Sequence, residues 1–245
     1  MDYILTTDCL TKEYHHYKAI DSVSLHVQKG DIYGFIGRNG AGKTTTLKII
    51  AGLAAPTSGK FSLFGQSYED VLKNNSFSKI GSLIEEPGIY PDMTAFDNVY
   101  LKCIYAGIND KSYAMDLLKL VDLDRTGRKK AKGFSLGMRQ RLGIALALVG
   151  DPELLILDEP INGLDPQGIL EIRETILKLN SEKGITFIIS SHILGELSKM
   201  ATRYGIIDKG MLVKEFTDKE LASQSDDLEA FYFNLTGGTG NVETN

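Results

Sequence analysis

A glycine-rich segment between an apolar run and a helical pattern constrains the fold of this chain most. Residues 37–44 read Gly-Arg-Asn-Gly-Ala-Gly-Lys-Thr and match the pattern G-x-x-x-x-G-K-[ST]. The apolar run at residues 31–36 predicts a strand before the segment, and residues 44–50 predict a helix after it. A strand, a loop and a helix in this order predict an α/β domain with a phosphate-binding loop at the start of the helix.

The composition of this loop suits a nucleoside triphosphate. Glycines let the backbone curl so that successive N–H groups face a phosphate at the positive end of a helix dipole. Lys43 can place a positive charge toward the β- and γ-phosphates, and the Thr44 hydroxyl is suited to ligate Mg²⁺. The predicted nucleotide-binding residues of the loop are Gly37, Arg38, Asn39, Gly40, Ala41, Gly42, Lys43, Thr44 and Thr45.

Two adjacent acids follow a second apolar run and provide the rest of the predicted chemistry. Residues 154–157 read Leu-Leu-Ile-Leu, which predicts a strand buried on both faces, and Asp158 and Glu159 follow directly. Asp158, at the carboxyl end of such a strand, can hold Mg²⁺ beside the phosphates. Glu159 diverges from it and can act as a general base toward an attacking water. A further strand at residues 185–189 extends the predicted parallel sheet.

The remaining patterns define the expected fold class. Alternating polar and apolar residues at 4–27 predict an antiparallel β subdomain, and residues 87–149 are mostly helical in pattern, with one helix beginning after an N-cap at Ser135. The chain is therefore expected to be an α/β P-loop NTPase core with a mainly parallel sheet. We expect one domain over residues 1–235, an inserted α-helical subdomain at about 86–150, and a flexible tail at 236–245.

Composition restricts the possible partners. The net charge of −5 provides no broad basic field, so nucleic acid is not an expected partner. The two cysteines, Cys9 and Cys103, have neither disulfide-framework nor zinc-site spacing. The chain shows no secretory leader and no apolar run near the ~20 residues that cross a bilayer, so we expect a chain that cannot span a membrane alone.

The segment Ser135-Leu-Gly-Met-Arg-Gln-Arg, followed by Leu-Ile-Leu-Asp-Glu-Pro at residues 155–160, resembles the signature of the ATP-binding cassette (ABC) family. The resemblance covers nearly the whole chain. It implies an ATPase whose two nucleotide-binding domains pair head to tail, so that the signature residues of one domain cover the ATP of the other. It also implies that Asp165 belongs to the loop between the subunits and that His192 senses the γ-phosphate. The implied signature residues are Ser135, Leu136, Gly137 and Met138.

This sequence departs from the family pattern in the signature and in the lid. Phe134, Leu136 and Met138 replace common residues of the signature, whereas Ser135 and Gly137, which approach phosphate in the family, are retained. In the lid, most relatives have Gln where this chain has Glu85, with Glu86 as an alternative for the same role. A carboxylate at position 85 can still ligate Mg²⁺ or orient water, but it adds negative charge beside a phosphate. The predicted metal ligands are Thr44, Asp158 and Glu85.

The family stacks adenine on an aromatic residue upstream of the phosphate loop. Tyr14 is the preferred match in this sequence, and Tyr17 is the competing choice. Stacking recognises any flat base, so it discriminates weakly among purine triphosphates.

A finer resemblance, carried by residues 80–99 and 228–238, is to exporters of the bacitracin-resistance and lantibiotic self-protection type. It implies a bacterial ATPase subunit at the cytoplasmic face of the membrane, with ATP and Mg²⁺ as cofactors. The implied partners are a second nucleotide-binding subunit, expected as a homodimer, and an integral-membrane permease that meets the exported peptide antibiotic. A soluble ABC ATPase acting on ribosomes or nucleic acid is the alternative. A P-loop kinase would explain neither the signature nor His192.

Overall fold

The computed structural model describes residues 2–225 and 227–237 of the chain. Strands and helices are numbered in chain order. The strands are β1 (Tyr3–Tyr14), β2 (Tyr17–Val23), β3 (His26–Gln28), β4 (Ile32–Ile36), β5 (Ser58–Leu63), β6 (Gln66–Ser67), β7 (Ile80–Leu83), β8 (Leu154–Asp158), β9 (Thr186–Ser191), β10 (Arg203–Asp208) and β11 (Met211–Thr217). The α-helices are α1 (Lys43–Ile50), α2 (Tyr68–Lys73), α3 (Ala95–Tyr105), α4 (Lys111–Leu120), α5 (Leu136–Ala147), α6 (Pro166–Lys183), α7 (Leu194–Leu197), α8 (Asp218–Gln224) and α9 (Leu228–Thr236).

A six-stranded sheet forms the centre of the described region, in the order β11-β10-β4-β9-β8-β7. All neighbouring pairs are parallel except β10 and β11, which form an antiparallel hairpin. Both faces of β8 are covered because its side chains alternate between two apolar clusters, with Leu155 and Leu157 on one face and Leu154 and Ile156 on the other. This two-sided burial explains why the sequence of β8 is a continuous apolar run.

A second sheet packs over α1. Strand β1 pairs antiparallel with β2, β3 and β5, and β5 pairs with β6. Its inward residues, among them Leu5, Leu10 and Ile20, join Tyr33 and Phe35 of β4 in one buried cluster. The antiparallel sheet therefore covers one face of the parallel sheet and holds α1, which follows the phosphate loop, between the two.

Helices α3, α4 and α5 contribute to the cluster on the other face of the parallel sheet. Helix α3 begins with a capping box in which Thr94 and Asp97 satisfy each other's backbone N–H groups. The predicted N-cap at Ser135 is confirmed, since its hydroxyl accepts a hydrogen bond from the Met138 N–H at 3.2 Å. Helix α5 packs closely on β7, where a Cβ added at Gly143 would lie 3.0 Å from Leu83 Cδ1.

The predicted fold class is confirmed: a P-loop core with a mainly parallel sheet, an antiparallel β subdomain and intervening helices. The β10–β11 hairpin and α9 were not predicted. Helix α9 extends to Thr236, and residues 238–245 of the predicted tail lie outside the described residues. Among the described helices, none combines the length and apolarity needed to cross a bilayer.

Candidate functional site

Three loops meet at one edge of the parallel sheet. They follow β4, β8 and β9, which are adjacent in the sheet, and they begin at Gly37, Glu159 and His192. Because the strands are parallel, their carboxyl ends lie at the same edge, which is where open α/β sheets bind ligands. Residues from distant parts of the chain are thereby brought together.

At two positions the phosphate loop has a backbone conformation that glycine adopts more readily than any other residue. Gly40 and Gly42 have φ angles of 80° and 109°, in the left-handed region. At Gly42 a Cβ would also lie 2.8 Å from the Ala19 carbonyl oxygen, so the close approach of β2 excludes any side chain. Lys43 is 4% exposed, and its Nζ donates to the Gly37 carbonyl at 2.6 Å. The Lys43 side chain therefore reaches back across the phosphate loop to its first residue, Gly37.

Asp158 is joined to the first turn of α1. The Thr44 hydroxyl donates to Asp158 Oδ2 at 2.7 Å, and the Ser190 hydroxyl donates to Asp158 Oδ1. Asp158 is buried. A hydroxyl and a carboxylate at this distance form an oxygen donor set of the kind that Mg²⁺ prefers. The sequence analysis did not assign a role to Ser190, although a hydroxyl directly after the apolar run at residues 185–189 was the available signal.

Glu159 lies between the phosphate loop and the loop after β9. Its Oε1 is 3.1 Å from Lys43 Nζ, and its Oε2 is 2.8 Å from His192 Nδ1. The Glu159 backbone has φ of 50°, a left-handed conformation that costs a non-glycine residue roughly 1 kcal/mol or more. Its N–H donates to the Ser190 hydroxyl at 2.9 Å, which holds this conformation. The carboxylate is thus held between groups from the other two loops, Lys43 and His192.

A cavity of about 270 Å³ lies over the phosphate loop. Its lining residues include Lys43, Thr44, Glu159 and Tyr17. Tyr14 does not line it: the Lys12 ammonium lies 4.9 Å from the centre of the Tyr14 ring. Tyr14 and Tyr17 are paired at the end of the β1–β2 hairpin, so one turn decides which ring faces the loop. Tyr17, the competing choice, is thus the tyrosine that lines the cavity, and the expected stacking of a base on Tyr14 stays a prediction.

The signature residues lie apart from that cavity. Ser135, Leu136, Gly137 and Met138 line a separate cavity of about 490 Å³ together with Asp165. Asp165 is the N-cap of α6, accepting a hydrogen bond from the Gly168 N–H at 3.0 Å. At Gly137 a Cβ would meet nothing closer than Leu164 Cδ2 at 3.8 Å. Packing within this chain therefore does not require a glycine at Gly137.

Glu85 is not joined to Thr44 and Asp158. Its Oε1 lies 2.5 Å from the Lys48 ammonium, and the Glu85 side chain is 64% exposed. In the described part of the chain, no cluster of three or more His, Cys, Asp or Glu side chains has metal-binding geometry. The residues present therefore fit a metal held by Thr44 and Asp158 and completed by phosphate oxygens. The expected third ligand, Glu85, is instead engaged by a lysine that sequence reasoning did not single out.

His192 also borders a cavity that involves the last described helix. This cavity, of about 290 Å³, is lined by Arg38 of the phosphate loop and by Glu229 and Tyr232 of α9. Helix α9 packs beside α7, which begins two residues after His192. Tyr232 is buried, and its hydroxyl has no hydrogen-bond partner among the described residues. The sequence contained no motif that would have linked α9 to the site.

A family model described as "ABC transporter" matches residues 20–162, which include the phosphate loop, the signature and both acids. The bacitracin transport ATP-binding protein BcrA of Enterococcus faecalis is 47% identical over 221 residues, covering 90% of this chain and 71% of that protein. The lantibiotic transport ATP-binding protein SrtF of Streptococcus pyogenes is 43% identical over 206 residues, covering 84% of this chain and 87% of that protein.

Solved structures agree with this match. A dimeric ATP-binding cassette in a post-hydrolysis state with ADP and Pi superposes with a TM-score of 0.77 at 26% identity, covering 87% of this chain and 98% of that one. An ATP-binding subunit of an ABC transporter superposes with a TM-score of 0.81 at 28% identity, covering 95% and 99%. The likeness therefore extends over most of the chain.

Proposed function

The chain belongs to the ABC transporter family and is an ATPase subunit of that family, and we propose that it drives export of a peptide antibiotic or a similar compound. The observation that carries the mechanism is the position of Glu159. Its carboxylate contacts Lys43 of the phosphate loop at 3.1 Å and His192 at 2.8 Å. A base held between a phosphate-binding lysine and a histidine suits activation of water beside a γ-phosphate.

In the proposed mechanism the triphosphate lies along the N–H groups of the phosphate loop at the start of α1. Lys43 turns from the Gly37 carbonyl and Glu159 toward the β- and γ-phosphates, where its charge stabilises the developing negative charge. Glu159, released from Lys43, accepts a proton from the attacking water, and His192 orients the carboxylate. Tyr17 stacks on the base. The residues that surround the cavity support these positions.

Thr44 and Asp158 are the residues that would hold Mg²⁺. When bound there, the metal would neutralise negative charge on the phosphates. The Ser190 hydroxyl, which bonds to the other oxygen of Asp158, keeps the carboxylate directed at Thr44. Since Lys48 engages Glu85, we assign Glu85 to the lid and leave it outside the metal's ligand set.

We further propose that two copies pair head to tail around ATP. The signature residues and the phosphate loop line different cavities of one chain, so a single copy does not bring Ser135 to its own phosphate loop. Ser135 is exposed at the N-terminus of α5, and Gly137 leaves open space beside it. A helix N-terminus with room for close approach suits a γ-phosphate bound by the partner copy. The dimeric state of the cassette solved with ADP and Pi supports pairing of two copies.

Export is proposed from the named relatives and requires a partner in the membrane. BcrA and SrtF are named as bacitracin and lantibiotic transport ATP-binding proteins. We propose that this chain works in the same way at the cytoplasmic face of a bacterial membrane, with an integral-membrane permease that meets the peptide. The same relatives favour this function over action on ribosomes or nucleic acid, and so does the net charge of −5.

The test is genetic and biochemical together. Deleting the gene from its host is expected to lower the inhibitory concentration of bacitracin or of a lantibiotic, with restoration by the wild-type gene and none by Glu159→Gln. The chain is also expected to co-purify from membranes with a permease. Unchanged susceptibility to both classes of peptide, with ATPase activity intact, would refute the export proposal and leave the ATPase assignment standing.

A further inference from the structure

The lid residue Glu85 forms an ion pair with the helix that follows the phosphate loop. Its Oε1 lies 2.5 Å from Lys48 Nζ on α1. Lys48 follows Thr44 by four residues, about one turn of helix, so the two side chains project from the same face of α1. The Glu85 carboxylate is therefore anchored one turn from the hydroxyl proposed to hold Mg²⁺.

Backbone geometry separates Glu85 from Glu86. Glu85 has φ of 62°, a left-handed conformation, just after β7 ends at Leu83. Glu86 lines a different cavity, of about 960 Å³, together with Pro87 and residues of the helical subdomain. The two adjacent acids thus face different surroundings, and the ion pair with α1 is made by Glu85. This selects Glu85 over Glu86 as the acid directed toward the phosphate-loop helix.

We propose that Lys48 is a positioning residue that neutralises Glu85 and holds it clear of the bound triphosphate. The proposal rests on the proposed function, because it assumes ATP on the phosphate loop. A free carboxylate beside a triphosphate would be repelled by it, increasingly so as closure excludes water. Lys48 supplies the opposite charge at this place.

The pair contributes little to folding. The Lys48 side chain is 32% exposed and that of Glu85 is 64% exposed, and ion pairs exposed to solvent add little to stability because water and salt screen them. Loss of Lys48 should therefore change nucleotide binding while the thermal midpoint stays nearly constant. This difference separates a role in charge balance from a role in folding.

A cycle of full-length variants tests the pairing: wild type, Lys48→Met, Glu85→Gln and the double variant. Binding of a fluorescent ATP analogue with Mg²⁺ and steady-state ATPase activity are measured for each. Lys48→Met is expected to weaken nucleotide binding about fivefold when Glu85 is present and less than about 1.5-fold in the Glu85→Gln background. Lys48→Arg, which keeps the charge, should bind nucleotide as the wild type does. Lys178→Met, on the exposed surface of α6, is the matched control.

The outcomes separate this proposal from the proposed function. Equal fold-changes in the two backgrounds, or no change in either, would show that Lys48 does not act through Glu85. A wild-type chain that neither binds nor hydrolyses ATP would overturn the proposed function itself. A shift of the thermal midpoint by more than about 4 °C in Lys48→Met would indicate a structural role and overturn the proposal. The Lys48→Arg variant then checks that the charge, rather than the methylene chain, is required.

Discussion

Glu159 Oε2 and His192 Nδ1 lie 2.8 Å apart, although 33 positions separate the residues in the chain. The contact is possible because β8 and β9 are parallel neighbours whose carboxyl ends lie at one edge. It links the proposed base to the loop after β9. The first prediction concerns this carboxylate.

Glu159→Gln is expected to bind ATP with near wild-type affinity and to lower turnover about 10²- to 10⁴-fold, because an amide cannot accept the proton of the attacking water. The ATP-bound dimer should accumulate and can be measured by size-exclusion chromatography with light scattering. Glu182→Gln, on the exposed surface of α6, is the control and should leave turnover unchanged. Normal hydrolysis by Glu159→Gln would remove Glu159 from the role of base.

Lys43→Ala is expected to weaken ATP binding itself, by about 10- to 100-fold, since charge-assisted hydrogen bonds to the phosphates are lost. Equilibrium binding of a fluorescent nucleotide measures the effect. Lys178→Ala provides a lysine deletion away from the site and should bind ATP normally. Full affinity in Lys43→Ala would contradict the phosphate contact.

Tyr17→Ala is expected to weaken ATP binding about fivefold or more, whereas Tyr14→Ala should change it less than about twofold, because Tyr17 lines the cavity over the phosphate loop. Tyr17→Phe keeps the ring and serves as the matched control. The reverse order of effects would restore Tyr14 as the stacking residue.

Gly137→Ala should affect the stability of the monomer and the formation of the ATP-bound dimer differently. Within the chain the new methyl group meets nothing closer than 3.8 Å, and alanine favours a helix over glycine by up to about 1 kcal/mol. The monomer should therefore keep or raise its thermal midpoint, while formation of the ATP-bound dimer by Glu159→Gln is weakened when Gly137→Ala is added.

Gly143→Ala, in the same helix, is the contrasting variant. Its Cβ would lie 2.8 Å from the Pro87 Cβ, so the monomer should lose about 1–3 kcal/mol from overpacking. If the Glu159→Gln dimer forms as well with Gly137→Ala as without it, that result would falsify the proposal that the signature faces a partner's phosphate.

A pH dependence is expected at Glu196 of α7. The Lys199 ammonium and, second, the Arg173 guanidinium hold the pKa of the Glu196 carboxyl below its usual value. A lowered folded-state pKa adds stability above the unfolded-state value of about 4.3, and this stability is lost as pH falls through the folded-state pKa. Glu196→Gln should therefore lower the free energy of unfolding at pH 7 by about 1 kcal/mol or less, and this loss should be smaller at pH 3, where the carboxyl takes up protons. An equal loss at both pH values would exclude the ionic contribution.

Local patterns predicted the elements that position the site. The continuous apolar run of β8 indicated a strand buried on both faces, and Ser135 marked the start of α5. Both signals can be recognised in a short stretch of sequence. Burial on two faces requires consecutive apolar residues, and a helix cap requires a polar residue directly before the helix. The hairpin of β10 and β11 was missed although Lys209 and Gly210, with φ of 47° and 81°, form its turn.

Long-range contacts were beyond such patterns. Lys48 and Glu85 are 37 positions apart, and no spacing rule pairs them. The choice between Tyr14 and Tyr17 depends on how the end of the β1–β2 hairpin faces the phosphate loop. The residues near the hairpin do not determine that orientation. Such features follow from tertiary packing, which decides between side chains of equal propensity.

The hydrogen bond between Thr44 and Asp158 joins residues 114 positions apart, and β9 lies between β4, which precedes the phosphate loop, and β8, which ends at Asp158. During synthesis the phosphate loop leaves the ribosome well before its carboxylate and histidine partners. Because a ligand stabilises only states that bind it, ATP can act as a folding ligand only after those partners have emerged. Cellular nucleotide would then favour chains that extend beyond His192 over shorter ones.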